Sequence, residues 1–336
     1  MNKLISAVSP HFHTPRNTTK IMLDVIIALC PAAVASVIIF GWRALLVIGV
    51  CVLTCVLSEF LFEKLCNFEN TKSDFLAIFT EKPSGKLSAF KRFFTRDNTV
   101  YDLSAVVTGM LLAFNLPVSI PIWQAIIGSV VAIIVVKQLF GGIGQNFANP
   151  AITARIIMLV AFSGAMTNWT NPVGMPDTAT SATPLAAMAN GGDVPSYLDL
   201  FLGYHAGSLG ETCALALILG GIYLLVRRVI SWHTPVAFIG TVAVMSLICG
   251  KDVLAQLLSG GLMLGAIFMA TDYSTTPSTK WGKIIFGVGC GLITILIRFW
   301  GNYPEGVSYS ILIMNILTPF ISKLTRSKPL TGGGKQ

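Results

Sequence analysis

Long apolar runs separated by short polar links dominate this chain. The runs lie at about 21–40, 44–62, 103–116, 122–140, 151–166, 212–227, 234–250, 253–270, 284–300 and 308–322. They are continuous, without the apolar–polar alternation of half-buried strands or of transmembrane barrel strands. Most approach the roughly 17–25 residues that a helix needs to cross the hydrocarbon core; the third and fifth are the least regular. The pattern predicts an all-α polytopic membrane protein with about ten transmembrane helices. Residues 1–20 are polar and lack the compact apolar core and small-residue cleavage site of a signal peptide, so the first helix is expected to stay in the mature protein.

Charge sharpens this picture. Apolar residues make up 54% of the 336 and charged residues 11%, whereas soluble domains run near about 25% charged. The net charge of +8 would suit a nucleic-acid partner if it were gathered in one patch, but the basic residues fall in loops and flanks, so no nucleic acid is expected. The 63–102 link holds Lys64, Lys72, Lys82, Lys86, Lys91, Arg92 and Arg96. With that link placed in the cytoplasm, 19 of the 23 Lys and Arg fall on the same side, as the positive-inside rule requires. Lys137 belongs to that cytoplasmic set, Arg298 to an outer loop, and Arg155 lies inside a span.

The expected layout is therefore a cytoplasmic segment 1–20 and a first helical half 21–166 carrying the loop 63–102. An outer loop 167–211 follows, then a second half 212–322 and a cytoplasmic tail 323–336. The outer loop carries Asp177, Asp193, Asp199 and Glu211 and no Lys or Arg. The halves echo each other. Gly109-Met110-Leu111-Leu112-Ala113 parallels Gly261-Leu262-Met263-Leu264-Gly265-Ala266, and FGGIGQNFANPA (140–151) parallels RFWGNYPEGVSYS (298–310). Five spans per half make the second copy enter from the opposite side, an inverted repeat of the kind found in transporters.

Candidate chemistry is concentrated in a few stretches. DTATSATPLAAM (177–188) places Thr178, Thr180, Ser181 and Thr183 ahead of Pro184. Pro184 biases Thr183 to extended backbone, and the small Ala182, Ala186 and Ala187 leave room around its hydroxyl. By residues alone this reads as a solvated loop or an attachment point. In 140–151, Gly141, Gly142, Gly144 and Pro150 break the backbone at membrane depth, which is tolerated only where it is buried or lines a cavity; it could line a binding site or let helices pack closely. Arg155 needs a carboxylate, carbonyls or an anionic ligand group nearby. Asp24, Asp102 and Asp272 are ion-path candidates; Asp272 could equally cap a helix end or pair with Lys280. The seven cysteines include no C-x-x-C pair and the four histidines do not cluster, so no metal site is expected. No nucleotide-binding glycine motif between strand and helix and no iron–sulfur cysteine set is present, so the chain is not expected to catalyse a redox reaction alone.

SPH (9–11), IMLDVIIALCPA (21–32), FGGIGQNFANPA, TATSATPL (178–185), FMATDYSTTP (268–277) and IRFWGNYPEGVSYSILIMNILTP (297–319) together resemble one family. It is the D subunit of the Rnf ion-translocating ferredoxin:NAD oxidoreductase complex, with its longer relative, the B subunit of the sodium-pumping NADH:quinone oxidoreductase. The resemblance implies FMN held through a phosphoester on the last threonine of an S/T-G-A-T sequence. That position falls on Thr183, flanked by Ser181, Ala182 and Pro184, with Ser181 standing where glycine is usual. It also implies a second, non-covalent flavin such as riboflavin. The flavin-binding candidates beyond the attachment loop are Gly142, Gly144, Asn146 and Arg155. Implied partners are the other subunits of the complex, a flavin transferase, Na⁺ or H⁺, and the lipid bilayer. The competing reading is a small-solute channel or secondary transporter without a redox cofactor, which would have no use for Thr183.

Overall fold

The computed structural model describes residues 17–68, 99–173, 183–190, 192, 195–301 and 306–326. The expectations for Ser181, Ala182 and most of the 63–102 loop lie outside the described residues. Among the described residues every regular element is helical and none is a strand.

The chain opens with two long helices, α1 (Thr18–Phe40) and α2 (Trp42–Cys66), separated by Gly41 alone. Gly41 holds φ +77, a left-handed conformation that glycine adopts without steric cost. A 3₁₀ turn (Thr99–Asp102) leads into the short α3 (Ser104–Phe114). Next come α4 (Ile122–Val130), which continues as a π-type turn over Val131–Gln138, and α5 (Pro150–Ala161). Two short helices follow, α6 (Pro184–Asn190) and α7 (Tyr197–Leu202). The second half holds α8 (Ala214–Val226), α9 (His233–Ile248), α10 (Val253–Leu258) and α11 (Leu262–Leu264), which extends as a π-type turn over Gly265–Met269. It closes with α12 (Lys280–Trp300) and α13 (Val307–Thr325).

Helical structure is found within each of the ten apolar runs. Thr18–Phe40, Trp42–Cys66, Lys280–Trp300 and Val307–Thr325 are long and apolar enough to cross a membrane by themselves. Polarity is arranged inside out relative to a soluble protein. Val34, Ile38, Leu45, Leu53 and Leu65 point outward on α1 and α2, while Ser36, Ser58 and Glu59 of the same helices are buried. Such an apolar exterior over a partly polar interior suits lipid as the solvent. The chain is an integral, polytopic membrane protein.

The structure corrects the sequence reading at several points. The run 253–270 is not one helix, because Ser259, Gly260 and Gly261 interrupt it, with Gly260 at φ +68. Arg298, expected in an outer loop, is instead buried in the last turn of α12. Its Nη1 donates to the Gln256 carbonyl at 2.7 Å and its Nη2 to the Ser259 carbonyl at 3.1 Å, so it serves the acceptors that the break leaves over. Lys137, counted as a cytoplasmic loop charge, is buried in the π-type turn of α4. The end of the expected outer loop is also internal. His205–Thr212 is buried, with Leu209 N donating to Leu116 O at 3.1 Å and Gly210 N to Phe114 O at 2.9 Å. This non-helical backbone finds its partners at the C-terminal end of α3.

Helix α1 packs closely against α8. A Cβ added at Gly220 would stand 2.2 Å from the Ala28 carbonyl oxygen. Close approach of backbones through small residues is the usual means of helix association in lipid. Gly220→Ala is expected to destabilise the detergent-solubilised chain by about 1–3 kcal/mol, the usual range for overpacking. Gly49→Ala on α2, where nothing lies within 4 Å, should leave stability unchanged or slightly raised. Unfolding by titration with a denaturing detergent measures both.

Candidate functional site

The centre of the molecule is organised by Arg155. Its helix α5 begins at Asn149, whose Oδ1 accepts from the Ala151 and Ile152 amides at 3.1 and 3.4 Å, with Pro150 in the first turn. This is the N-cap arrangement that Asn-Pro favours. One turn on, Arg155 Nη1 donates to Glu211 Oε1 at 3.1 Å, Asn115 Oδ1 at 3.0 Å and Ser308 Oγ at 2.8 Å. Glu211 lies against the interrupted span, since a Cβ at Gly261 would meet its Oε1 at 2.4 Å. The need for a buried counter-charge is thus met by a carboxylate from the end of the 167–211 segment.

A cavity of about 320 Å³ opens beside the start of α5, lined in part by Ser104, Lys137, Gly144, Asn146, Asn149 and Asp272. Gly141, Gly142 and Gly144 hold φ of +107, +86 and +83, so the loop before α5 takes a course only glycine follows easily. Gly142 is buried outside the cavity lining, while Gly144 faces it. Among the described residues Asn146 Oδ1 is buried with no hydrogen-bond partner, an acceptor awaiting a donor. Asp272 faces the cavity, and its Oδ2 accepts from Ser274 Oγ at 2.9 Å and Thr275 Oγ1 at 3.2 Å. These contacts favour the turn-forming role over a pair with Lys280. Burial raises the Asp272 carboxyl above the ordinary carboxylate range, with the bonds from Ser274 and Thr275 opposing it. A second hollow of about 530 Å³ continues past Asp272 toward Arg228 and Lys283.

Thr183 lies elsewhere. It is 6% exposed and caps α6, its Oγ1 accepting from the Ala186 amide at 3.3 Å. Leu185 packs at the break in the 253–270 run, where a Cβ at Gly260 would meet its Cδ1 at 2.5 Å. Gln256 Nε2 contacts Met188 Sδ at 3.6 Å. The attachment candidate is therefore docked on α10 and the break. Asp272 follows the far end of the same interrupted run, beyond Leu262–Met269, roughly 12 Å of helix at about 1.5 Å per residue.

Comparison with known proteins shows the family. The NQR2, RnfD, RnfE family matches residues 5–81 and 87–331. The D subunit of the Na(+)-translocating ferredoxin:NAD(+) oxidoreductase complex of Acetobacterium woodii is 45% identical, over 98% of this chain and 96% of its own. The D subunit of the proton-translocating ferredoxin:NAD(+) oxidoreductase complex of Clostridium ljungdahlii is 39% identical, over 95% and 93%. The D subunit of the ion-translocating oxidoreductase complex of Stutzerimonas stutzeri is 35% identical, over 92% and 91%. The chain belongs to the NQR2, RnfD, RnfE family.

Within this family member the remaining candidates separate. Asp24 on α1 accepts from Tyr223 OH at 3.0 Å and from Arg227 Nη2 at 3.2 Å, tying α1 to the end of α8. Asp102 is partly exposed on the 3₁₀ turn before α3. Sequence reasoning missed Glu59 and Glu63, which sit four residues apart on one face of α2 and are both buried. The available signal was two carboxylates at the end of an apolar run, which are functional candidates by default.

Two outcomes are expected. Glu211→Gln should cost about 3–5 kcal/mol, because it leaves Arg155 buried without its carboxylate, whereas joint replacement by Arg155→Met and Glu211→Leu should cost less than the single change. Denaturing-detergent titrations compare them. For Asp272, the raised native value means the folded state holds its proton more tightly than the unfolded chain. That stabilisation is complete below about pH 4 and is lost as pH rises through the native value. Thermal unfolding of Asp272→Asn should therefore depend less on pH in the mildly acidic range than that of the wild type.

Proposed function

We propose that this chain is the flavin-bearing membrane subunit of an ion-translocating electron-transport complex, coupling ferredoxin:NAD⁺ electron transfer to movement of Na⁺ or H⁺ across the bacterial inner membrane. The observation that carries this reading is the near full-length similarity to the D subunits of such complexes. Ferredoxin and NAD⁺ chemistry would belong to the other subunits. Both termini would be cytoplasmic and the Thr183 loop on the outer face, with the helices forming two inverted five-helix halves.

FMN would be joined to Thr183 through its phosphate, as a phosphoester made by a flavin transferase. Among the described contacts the Thr183 hydroxyl accepts a hydrogen bond and donates none, so replacing its proton by a phosphoryl group sacrifices no donated bond. A second flavin, riboflavin in chemical class, fits the cavity beside α5. The volume is at the lower end of the roughly 300–1,000 Å³ usual for ligand pockets, and the unpartnered Asn146 Oδ1 suits a ring N–H donor. When bound, the two flavins would supply stepwise electron transfer. Gly144 and Asn146 would orient the second flavin. Arg155, already paired with Glu211, would hold the supporting helix rather than touch the ring. Moving one ion against 100 mV costs about 2.3 kcal/mol, which each coupled electron step must supply.

The reading is tested by the location of flavin in variants of the chain, produced with its transferase and partner subunits. The wild-type band on a denaturing gel should fluoresce under ultraviolet light, and Thr183→Ala should abolish that signal. Asn146→Leu should keep the fluorescent band but lose the flavin released on denaturation. A dark wild-type band overturns the covalent assignment, and unchanged released flavin in Asn146→Leu overturns the cavity assignment.

A further inference from the structure

We propose that Glu59 and Glu63, at the end of α2, hold one exchangeable proton between them, with Thr99 as the bridge and Lys137 as the fixed counter-charge. Glu59 is 0% exposed. Its Oε1 receives Lys137 Nζ at 2.7 Å, Gln138 Nε2 at 3.0 Å and Thr99 Oγ1 at 2.7 Å. Glu63 receives the Thr99 amide on both oxygens at 3.0 Å, and its Oε1 also touches Thr99 Oγ1.

Hydrogen-bond accounting requires the proton. A threonine hydroxyl has one hydrogen, and an ionised carboxylate only accepts. With both carboxylates ionised, one of the two Thr99 Oγ1 contacts would set lone pair against lone pair. A proton on Glu63 Oε1 resolves it: Glu63 donates to Thr99 Oγ1, and Thr99 donates to Glu59 Oε1.

Charge leads to the same state independently. Two carboxylates face one ammonium, and an uncompensated charge in a dry interior is costly. One proton makes the cluster neutral. Among the described residues the remaining neighbours do not supply a second cation. Ser104 Oγ accepts from Lys137 Nζ at 2.7 Å, Cys55 is directed to the Ser129 carbonyl, Asp102 adds only negative charge, and Lys64 lies over the Phe60 ring.

Among the described residues Glu59 Oε2 is buried with no hydrogen-bond partner. The Thr99 contacts keep the proton on Glu63 Oε1, since a proton on Glu59 Oε2 would still leave Thr99 Oγ1 between two oxygens that only accept. Its release as pH rises involves no redox change. Lys137 also lines the cavity beside α5. A negative charge arriving there would compete with Glu59 for the ammonium and tighten the hold on the proton. That coupling rests on the flavin reading; the proton itself does not.

The test is infrared difference spectroscopy of the purified full chain in lipid vesicles across a pH series. A protonated-carboxyl C=O band should be present in the wild type near neutrality and titrate away at alkaline pH. Glu63→Gln, whose amide reproduces the donor to Thr99, should fold normally and lose the band. Thr99→Val should keep the band but shift its frequency, because the acid loses its acceptor. Asp272→Asn should leave the band in place. A band undiminished in Glu63→Gln, or lost in Asp272→Asn alone, overturns the assignment, as does its absence from the wild type at every pH.

Discussion

Lipid offers no hydrogen bonds, so each stretch of this chain that leaves the helical state at membrane depth must find its partners within the protein. The rest of the structure follows from that constraint. The segment His205–Thr212 donates amides to the Phe114 carbonyl that ends α3 and to the Leu116 carbonyl just beyond it. The break after α10 hands its free carbonyls to Arg298. The Asn149 side chain occupies the amides at the start of α5. The irregular stretches are thereby fixed in place, and they are where the polar side chains converge. Helices alone would give a plain apolar bundle with no site.

The ion pairs work in the same direction. Arg155–Glu211, Lys137–Glu59 and Arg227–Asp24 each join elements far apart in sequence. A buried pair often adds little net stability over an apolar replacement, but losing one partner is expensive. Such pairs are better understood as constraints on register than as glue. Arg155 accepts only the arrangement in which the interhalf segment returns to the core beside α3 and α13, and Lys137 accepts only one placement of α4 against α2. Asp24–Arg227 is the weaker constraint, because the arginine side chain is 56% exposed and solvent screens the pair.

Much of the fold was legible in the sequence because hydropathy reports a bulk property, the solvent a segment prefers. That is why the apolar runs fall where helices are found. What hydropathy averages away is a three-residue interruption such as Ser259-Gly260-Gly261, whose apolar flanks hide it. Charge counting failed at Lys137 and Arg298 for a related reason. Each stands near the end of an apolar run, where a loop cation and a buried one look alike in sequence, and only the partner tells them apart. Glu211 was legible as a charge but not as the partner of Arg155, since 56 positions separate them. Thr183 and the glycine-rich loop were legible as motifs, whereas the cavity joining Asn146 to Asp272 exists only once both halves are folded together.

The interrupted run 253–270 connects these observations. Its first piece and the break carry the docked Thr183 helix, and its second piece ends at the loop that presents Asp272 to the cavity. A continuous helix at this position would offer no free carbonyls to Arg298 and no gap for Leu185. A simple loop would not carry rigidity from one face to the other. Two short helices around a glycine hinge do both, and Gly261 brings Glu211, and through it Arg155, against the same hinge. The attachment candidate, the central cation and the cavity are thus mechanically joined through one broken helix. A shift at any one of them must be accommodated at that hinge.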